Sequence, residues 1–189
     1  MKPAIKVIGV PNDINSSFMR GSSAAPPLIR EALFSASSNL FSESGLDLDQ
    51  IGIWEDLGDI EFSGEIEEES FKKIKTFVKD ILASDQKLVS LGGDHSVSWP
   101  ILDAHLDAWD TLDILHIDAH PDLYDSLLDN KLSHASPFAR VMETGKVNRL
   151  VQIGIRTLNK HQREQAEKFE VEMYPVSYTH LRAHETRTY

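Results

Sequence analysis

Two short segments of the sequence concentrate side chains of the kinds that bind metal ions. The first, Gly92–Ser96 (GGDHS), follows an apolar run, and the second, Asp118–Asp122 (DAHPD), ends another. Along an extended strand, residues two apart point to the same side, so Asp118 and His120 project together. The proline that follows bends the chain, so that Asp122 can fold back towards them. Without a cation the two carboxylates would lie close together and poorly solvated, so this segment predicts a metal site.

Each segment also has a simpler interpretation. In the first, Asp94 is the N-cap of the next helix and His95 is merely its neighbour. In the second, the acids are solvated in a loop. His116, two residues before Asp118, is interpreted as a core histidine or as a residue that supports a ligand, because it lies deeper in the strand.

The ligand types narrow the choice of metal. Carboxylate oxygens mixed with imidazole favour manganese or a similar divalent ion, while zinc and iron stay open. The chain has no cysteine, which excludes thiolate ligands and disulfides. A carboxylate-rich cluster that can bridge ions suggests two metals, about 3.5–4 Å apart, that hold a shared hydroxide.

Short apolar runs alternate with helical patterns along the chain. The predicted strands, buried on both faces, are Ile5–Val10, Ile51–Trp54, Lys87–Leu91, Asp113–Asp118 and Arg149–Ile155. The predicted helices are Pro26–Leu40, Glu67–Leu82, Ser96–Trp109, Pro137–Glu143 and Leu158–Phe169. Strands separated by helices indicate βαβ units, so we expect an α/β fold of three α/β/α layers with a mostly parallel sheet. In such sheets the chemistry lies at the carboxyl ends of strands, where both ligand segments occur.

Length and charge limit the possible functions. At 189 residues, 41% of them hydrophobic, the chain can bury a sizeable core, and one domain is the expectation. Thirty acidic against nineteen basic residues give a net charge of -11. This charge disfavours nucleic acid and anionic membranes and is compatible with a cationic substrate. No apolar run approaches the roughly 18 residues of a membrane span, so we expect a soluble cytoplasmic protein.

The motifs, taken in order, resemble those of the arginase–agmatinase family, the ureohydrolases, with agmatinase-like members nearest. The matching segments are Gly9-Val10-Pro11 with Asp13, Gly21 with Pro27 and Ile29-Arg30, Asp56–Asp59, Gly92–Ser96, Asp118–Asp122, and Ser133-His134 with Pro137-Phe138. Any one motif is weak, but their order and spacing are specific, and the resemblance covers about residues 5–174. It implies the arginase/deacetylase-like fold and hydrolysis of a guanidino group to an amine and urea.

The resemblance also implies roles for individual residues. His95, Asp118 and Asp122 would bind one manganese ion. His120 would bind a second manganese ion, and Asp118 would bridge the two. His134 would stand near the substrate and relay a proton to the departing amine, since a histidine pKa near 6.5 suits that transfer. The implied substrate is a small cationic guanidino compound, and the full-length protein is expected to form a homo-oligomer.

Two departures from the family pattern concern the substrate pocket. Ala135 follows His134 where many family members have glycine, which affects the shape of the pocket more than metal binding. Tyr124 is the other predicted substrate-binding residue, and it slightly favours an amine such as agmatine over an amino acid. Formimidoylglutamase-type hydrolysis, single-zinc deacetylation and a metal-free regulatory or structural role are the alternative functions.

The family pattern asks for more than this sequence contains. A second acidic motif of the form SxDxDxxDP and a late glutamate do not occur in it, so we expect the C-terminal strands of the sheet to be missing. Residues 176–189 resemble translated sequencing-adapter read-through, and we interpret them as a non-native tail after a partial domain of residues 1–175. His180 and His184 in that tail have a zinc-like spacing but no third ligand.

Without the aspartates of the second acidic motif, the 189-residue chain is expected to be inactive or nearly so. A colorimetric urea assay on the purified chain, supplied with Mn²⁺ and a guanidino substrate, should stay at the background rate. Robust turnover would show that these residues suffice for the reaction.

Overall fold

The computed structural model describes residues 4–50 and 53–178. The chain divides into two compact units, a first unit of residues Met1–Ala108 and a second unit of residues Trp109–Tyr189. Each unit contains its own parallel sheet and its own helices. Within the described ranges, no helix is both long enough and apolar enough to span a membrane.

The first unit is built on a three-stranded parallel sheet. Its strands are β1 (Ile5–Val10), β2 (Trp54–Asp59) and β3 (Lys87–Gly92), and its helices are α1 (Ala25–Leu33), α2 (Glu67–Leu82) and α3 (Ser98–Ala108). β1 lies in the centre of the sheet and pairs in parallel with β2 and β3. Ile8 and Val10 of β1 are fully buried, as are Ile74 and Val78 on one stripe of α2, so this stripe supplies much of the core.

The second unit repeats this plan with a second three-stranded sheet. Its elements are β4 (Leu112–Ile117), α4 (Pro137–Glu143), β5 (Val147–Ile155), α5 (Lys160–Lys168) and β6 (Glu172–Pro175). β5 is the central strand and pairs in parallel with β4 and β6. Leu150 and Ile155 of β5 are buried together with Leu123 and Val141. A capping box between Asn159 and Gln162 caps the N-terminus of α5.

The predicted fold class, parallel strands with flanking helices, is confirmed, and α2 and α4 have the predicted bounds. The helix predicted for Pro26–Leu40 is wrong in its second half, because α1 ends at Leu33. Just beyond this end, the hydroxyl of Ser35 donates to the carbonyl oxygen of Ala32 at 2.8 Å. Serine side chains compete in this way for backbone hydrogen bonds, so a serine-rich segment favours a helix end.

Four of the predicted strands lie within two residues of their observed bounds, but the strand predicted for Ile51–Trp54 is wrong. Residues 51–52 lie outside the described ranges, and β2 begins at Trp54 and continues to Asp59. Its sequence, WEDLGD, carries three acids and therefore lacks the apolar run by which strands were recognised. Strand β6 was not predicted from the sequence at all.

The prediction that strands are buried on both faces is wrong for β3, in which Val89 is 46% exposed, and for β4. Leu115 and Ile117 of β4 are 62% and 74% exposed, whereas His116 between them is 6% exposed. Successive side chains in a strand point to opposite faces, so β4 has one buried and one exposed face in this chain. The residue that the strand buries is thus its histidine.

Three of the family-like motifs meet around the guanidinium group of Arg30 in the first unit. Arg30 donates to Asp56 through Nε at 2.6 Å and through Nη2 at 2.9 Å, and it also pairs with Asp59. The carboxylate of Asp59 lies against Gly9, where an added Cβ would overlap it. These motifs therefore join α1, β2 and β1, and their contacts are structural.

We expect Asp56→Asn to lower the free energy of unfolding by about 2 kcal/mol near neutral pH, since it removes hydrogen bonds between charged groups. Burial raises the pKa of Asp56, but the hydrogen bonds from Arg30 outweigh burial and hold this pKa below its usual value of 3.8. A carboxyl group with a lowered folded pKa contributes stability above pH 3.8 and loses this contribution as the pH falls through the folded pKa. The free energy of unfolding, measured by chemical denaturation, should therefore fall less in the variant than in the original chain as the pH is lowered.

The matched control is Glu55→Gln, which removes the same charge from the adjacent position of β2. Glu55 is half-exposed and pairs with Lys6, and an exposed pair contributes at most about 1 kcal/mol. Equal losses of stability in the two variants would contradict the role assigned to Asp56.

Candidate metal centre

In the first unit, Gly93 of the GGDHS segment lies directly against the backbone of Asn12. A Cβ at Gly93 would overlap the carbonyl oxygen of Asn12, and the backbone N–H of Asp94 donates to the same oxygen at 3.0 Å. At Gly92, by contrast, a Cβ would lie 3.4 Å from Cγ2 of Val97, an ordinary contact. Of these two glycines, only Gly93 therefore allows a close approach of the backbone.

Asp94 is a buried capping residue, as the simpler interpretation of this segment stated. Its Oδ1 accepts from the backbone N–H of Ser96 at 2.9 Å, and its Oδ2 accepts from the backbone N–H of Asn15 at 3.0 Å. The carboxylate thereby ties the loop after β1 to the short 3-10 helix His95–Val97. His95 opens this helix, is partly exposed and lines a cavity of about 320 Å³ in the first unit.

In the second unit, Asp118 and His120 lie side by side just after β4. Asp118 Oδ1 accepts from the backbone N–H of His120 at 2.9 Å and lies 3.5 Å from His120 Nδ1. Asp118 Oδ2 lies 3.4 Å from Nε2 of His116. The exposed side-chain fraction rises from 6% at His116 to 29% at Asp118 and 55% at His120. The three side chains thus form a row from the core to the surface, with the carboxylate in the middle.

Asp122 is a buried carboxylate on a strained backbone. The residue is 7% exposed, and its φ of 47° lies in the left-handed region. A residue other than glycine costs on the order of 1 kcal/mol in this region. Such strain persists where neighbouring structure imposes it, and it is concentrated at functional sites. Here the backbone N–H of Phe138, in α4, donates to the carbonyl oxygen of Asp122 at 3.2 Å.

The ligand loop, defined here as residues 118–123, is held by hydrogen bonds to its backbone carbonyl oxygens. The donors are the backbone N–H groups of Arg156 and Thr157 to Ala119 (2.9 and 3.1 Å), Gln152 Nε2 to Pro121 (2.7 Å), Phe138 N to Asp122 (3.2 Å) and Gln165 Nε2 to Leu123 (3.2 Å). They come from α4, β5, α5 and the turn between β5 and α5. A loop anchored on this many sides holds its ligand side chains in a fixed arrangement.

The two predicted substrate-binding residues belong to segments that the structure joins. The backbone N–H of Tyr124 donates to the carbonyl oxygen of Ala135 at 3.1 Å, and Ala135 directly follows His134. The hydroxyl of Tyr124 accepts from Nδ2 of Asn159 at 2.6 Å, and its ring stacks on His161 with centroids 5.7 Å apart. Tyr124 is therefore held by the N-terminal end of α5, while His134 lies partly exposed in the turn before α4.

Sequence reasoning missed the polar residues that support this loop. Gln152 is 0% exposed and Gln165 is 6% exposed, and both donate to the ligand loop. A signal was available at Gln152, because a glutamine within the apolar run RLVQIGI must find buried partners. No comparable signal marks Gln165 or Asn159, which lie in a polar helix and at its cap.

The donor set of the second unit suits a divalent metal ion. Asp118, His120 and Asp122 offer carboxylate oxygens and an imidazole nitrogen, and the ligand loop holds their backbone in place, although among the described residues the ligand atoms of these three are not gathered around one point. His95, the remaining predicted ligand, belongs to the first unit. His180 and His184 lie outside the described residues.

Comparison with known proteins gives consistent matches over nearly the whole chain. Residues 3–187 match the model of the arginase family. The chain is 44% identical over 177 residues to an arginase of Glycine max, which covers 90% of the chain and 51% of that protein. It is 35% identical over 179 residues to an N(1)-aminopropylagmatine ureohydrolase of Thermus thermophilus, covering 93% of the chain and 59% of that protein.

Comparison of the fold with solved structures also finds an arginase. The solved structure of an arginase from Medicago truncatula superposes with a TM-score of 0.85 at 40% identity, covering 92% of this chain and 57% of that one. The chain thus spans about half the length of the curated relatives that it matches.

We expect Gly93→Ala to destabilise the first unit by about 2–3 kcal/mol, because the added methyl group would displace the backbone of Asn12. Gly92→Ala is the matched control, since its methyl group meets only ordinary contact. Urea denaturation of both variants measures the difference. Equal stabilities would contradict the close packing of Gly93 on Asn12.

Proposed function

The chain belongs to the arginase family, and from this premise we propose that it is part of a manganese-dependent ureohydrolase. The reaction is hydrolysis of a guanidino group to an amine and urea. The observation that carries the proposal is the ligand loop, in which a buried Asp122 keeps a left-handed backbone while hydrogen bonds anchor its neighbours on several sides. Strain of this kind around carboxylates supports a metal site rather than a solvated turn.

In this proposal His95, Asp118 and Asp122 would hold one manganese ion and His120 a second, with Asp118 shared between the two, as the family resemblance implies. When bound, a pair of divalent ions lowers the pKa of water and so supplies hydroxide near neutral pH. The donors are carboxylate and imidazole groups, which suit manganese, and the chain has no cysteine to offer a softer site.

The rest of the chemistry belongs to the side chains of this chain. A guanidinium group is a delocalised cation, so its carbon is a poor electrophile, and the substrate must be held in a fixed orientation. We assign this positioning to Tyr124, whose hydroxyl is itself held by Asn159. His134 supplies the proton that the departing amine requires, because an imidazole exchanges protons near neutral pH.

The substrate belongs to the class of small cationic guanidino compounds. The arginases at about 40% identity support L-arginine as the first substrate to test, whereas Tyr124 favoured agmatine in the sequence. Formimidoylglutamate represents the alternative hydrolysis. A metal-free regulatory role is the non-enzymatic alternative, and the ligand set speaks against it, since a protein without catalysis has no need of buried carboxylates under strain.

Manganese binding by the chain itself is the first test, because the chain spans only about half of its relatives. Electron paramagnetic resonance titration of Mn²⁺ should detect binding, and Asp118→Asn and Asp122→Asn should each weaken it by at least about tenfold. His134→Asn is the matched control and should leave binding unchanged, since His134 acts on the substrate. Absence of binding in the unaltered chain would contradict the proposal.

Catalysis is tested in a chimera that joins residues 1–175 of this chain to the remaining C-terminal part of the Glycine max arginase. We expect urea release from L-arginine or agmatine, whereas hydrolysis of formimidoylglutamate, which carries an amidine and not a guanidine, would be detected as release of formamide. His134→Asn in the chimera should lower kcat by about 10²–10⁴-fold with little change in metal content. A chimera that binds manganese and releases urea equally well with His134→Asn would remove the histidine from the mechanism.

A further inference from the structure

A fully buried glutamine and a buried histidine lie opposite each other on two adjacent strands of the second unit. Gln152 of β5 is 0% exposed and is the register partner of His116 in β4. Its Nε2 lies 2.7 Å from the carbonyl oxygen of Pro121 and 3.1 Å from Nδ1 of His116. One amide group thus contacts both the ligand loop and the histidine that precedes it.

The carbonyl of Pro121 determines which way this amide points. A carbonyl oxygen can only accept a hydrogen bond, so the group at 2.7 Å must be the NH₂ of Gln152. The reversed amide would bring two oxygen atoms to that distance. The orientation of Gln152 therefore follows from the chemistry of its partner and not from a choice between similar atoms.

The amide orientation in turn determines the tautomer of His116. The NH₂ of Gln152 has two hydrogens, one for Pro121 and one for His116, and so Nδ1 of His116 must be the acceptor. A neutral imidazole that accepts at Nδ1 carries its proton on Nε2. Nε2 is the atom that lies 3.4 Å from Asp118 Oδ2.

Oδ1 of Asp118 accepts from the backbone N–H of His120 at 2.9 Å, while Oδ2 lies 3.4 Å from the ring Nε2 of His116, a close polar contact outside hydrogen-bond geometry. The ring of Phe138 packs against His116 with centroids 4.1 Å apart and limits its rotation. We propose that Gln152 and His116 are positioning residues, which act in series to orient the carboxylate of Asp118 for its metal ion. The metal half of this inference rests on the proposed function, while the hydrogen-bond half does not.

The proposal gives His116 a role different from that of a ligand. A metal ligand must offer a nitrogen lone pair, and the nitrogen of His116 that faces Asp118 carries a proton instead. The sequence left His116 open between a core residue and a support for a ligand. The contacts with Gln152 and Asp118 favour the support.

The tautomer is measurable on the metal-free chain. In a two-bond ¹H–¹⁵N correlation spectrum, His116 should show an unprotonated Nδ1 and a protonated Nε2, with its signals assigned through their loss in His116→Gln. Gln152→Leu removes the donor to Nδ1 and should abolish this preference. A protonated Nδ1 in the original chain would overturn the proposal whatever the chain binds.

Manganese affinity tests the positioning role. His116→Leu and Gln152→Leu should weaken Mn²⁺ binding by about 10–100-fold. His116→Gln should restore affinity to within about threefold, because the glutamine amide offers an N–H where the imidazole Nε2 offered one. His105→Gln, in α3 of the first unit, is the matched control for replacing a histidine and should have no effect.

The outcomes separate this inference from the proposed function. Loss of affinity in His116→Gln as large as in Asp118→Asn would make His116 a ligand and overturn the positioning role. Unchanged affinity in His116→Leu would overturn it as well. An unaltered chain that binds no Mn²⁺ would overturn the proposed function together with the metal half of the inference, and the spectrum would still decide the hydrogen bonds.

Discussion

The backbone carbonyl groups of a buried loop must find donors, and the second unit is arranged around this requirement. Leaving a buried acceptor unpaired costs about 1–3 kcal/mol, so the loop holds its shape only where donors reach it. Gln152 and Gln165 reach it with side chains, and Arg156, Thr157 and Phe138 reach it with backbone N–H groups. Because every one of these donors lies elsewhere in the chain, the geometry of the ligand segment is a property of the whole unit.

In the first unit, most of the family-like motifs hold segments of the backbone together. Asp13 accepts from the backbone N–H groups of Gly21 and Ser23 at 2.6 and 3.2 Å. Burial raises the pKa of Asp13, but these hydrogen bonds outweigh burial and lower it. Arg30 joins α1 to β2, and Gly93 allows the chain to approach Asn12. A motif that recurs in a family therefore includes residues that position the chemistry without taking part in it.

Prediction from the sequence succeeded where a local pattern decides the structure. The apolar stripe of α2 and the proline at the start of α4 gave both helices their correct bounds, and the parallel pairing of strands was correctly inferred from alternation of strands and helices, although the strands form two sheets and not one. It failed where distant residues decide. Strand β2 carries acids because Arg30 lies beside it, and the apolar pattern therefore placed the strand too early. The exposed face of β4 was equally invisible, because burial depends on what covers a strand.

The sequence by itself determined the types and the order of the candidate ligands, and through them the family and the chemistry that they support. Spacing within five residues was enough to group Asp118 with His120, but the structure brings them together in the turn after β4, where the backbone N–H of His120 donates to Asp118, and not on the strand itself. Only the tertiary structure decided the left-handed backbone of Asp122 and the direction in which Gln152 donates. Both depend on hydrogen-bond partners distant in sequence, and the number of possible partners is too large for a local pattern to select among them.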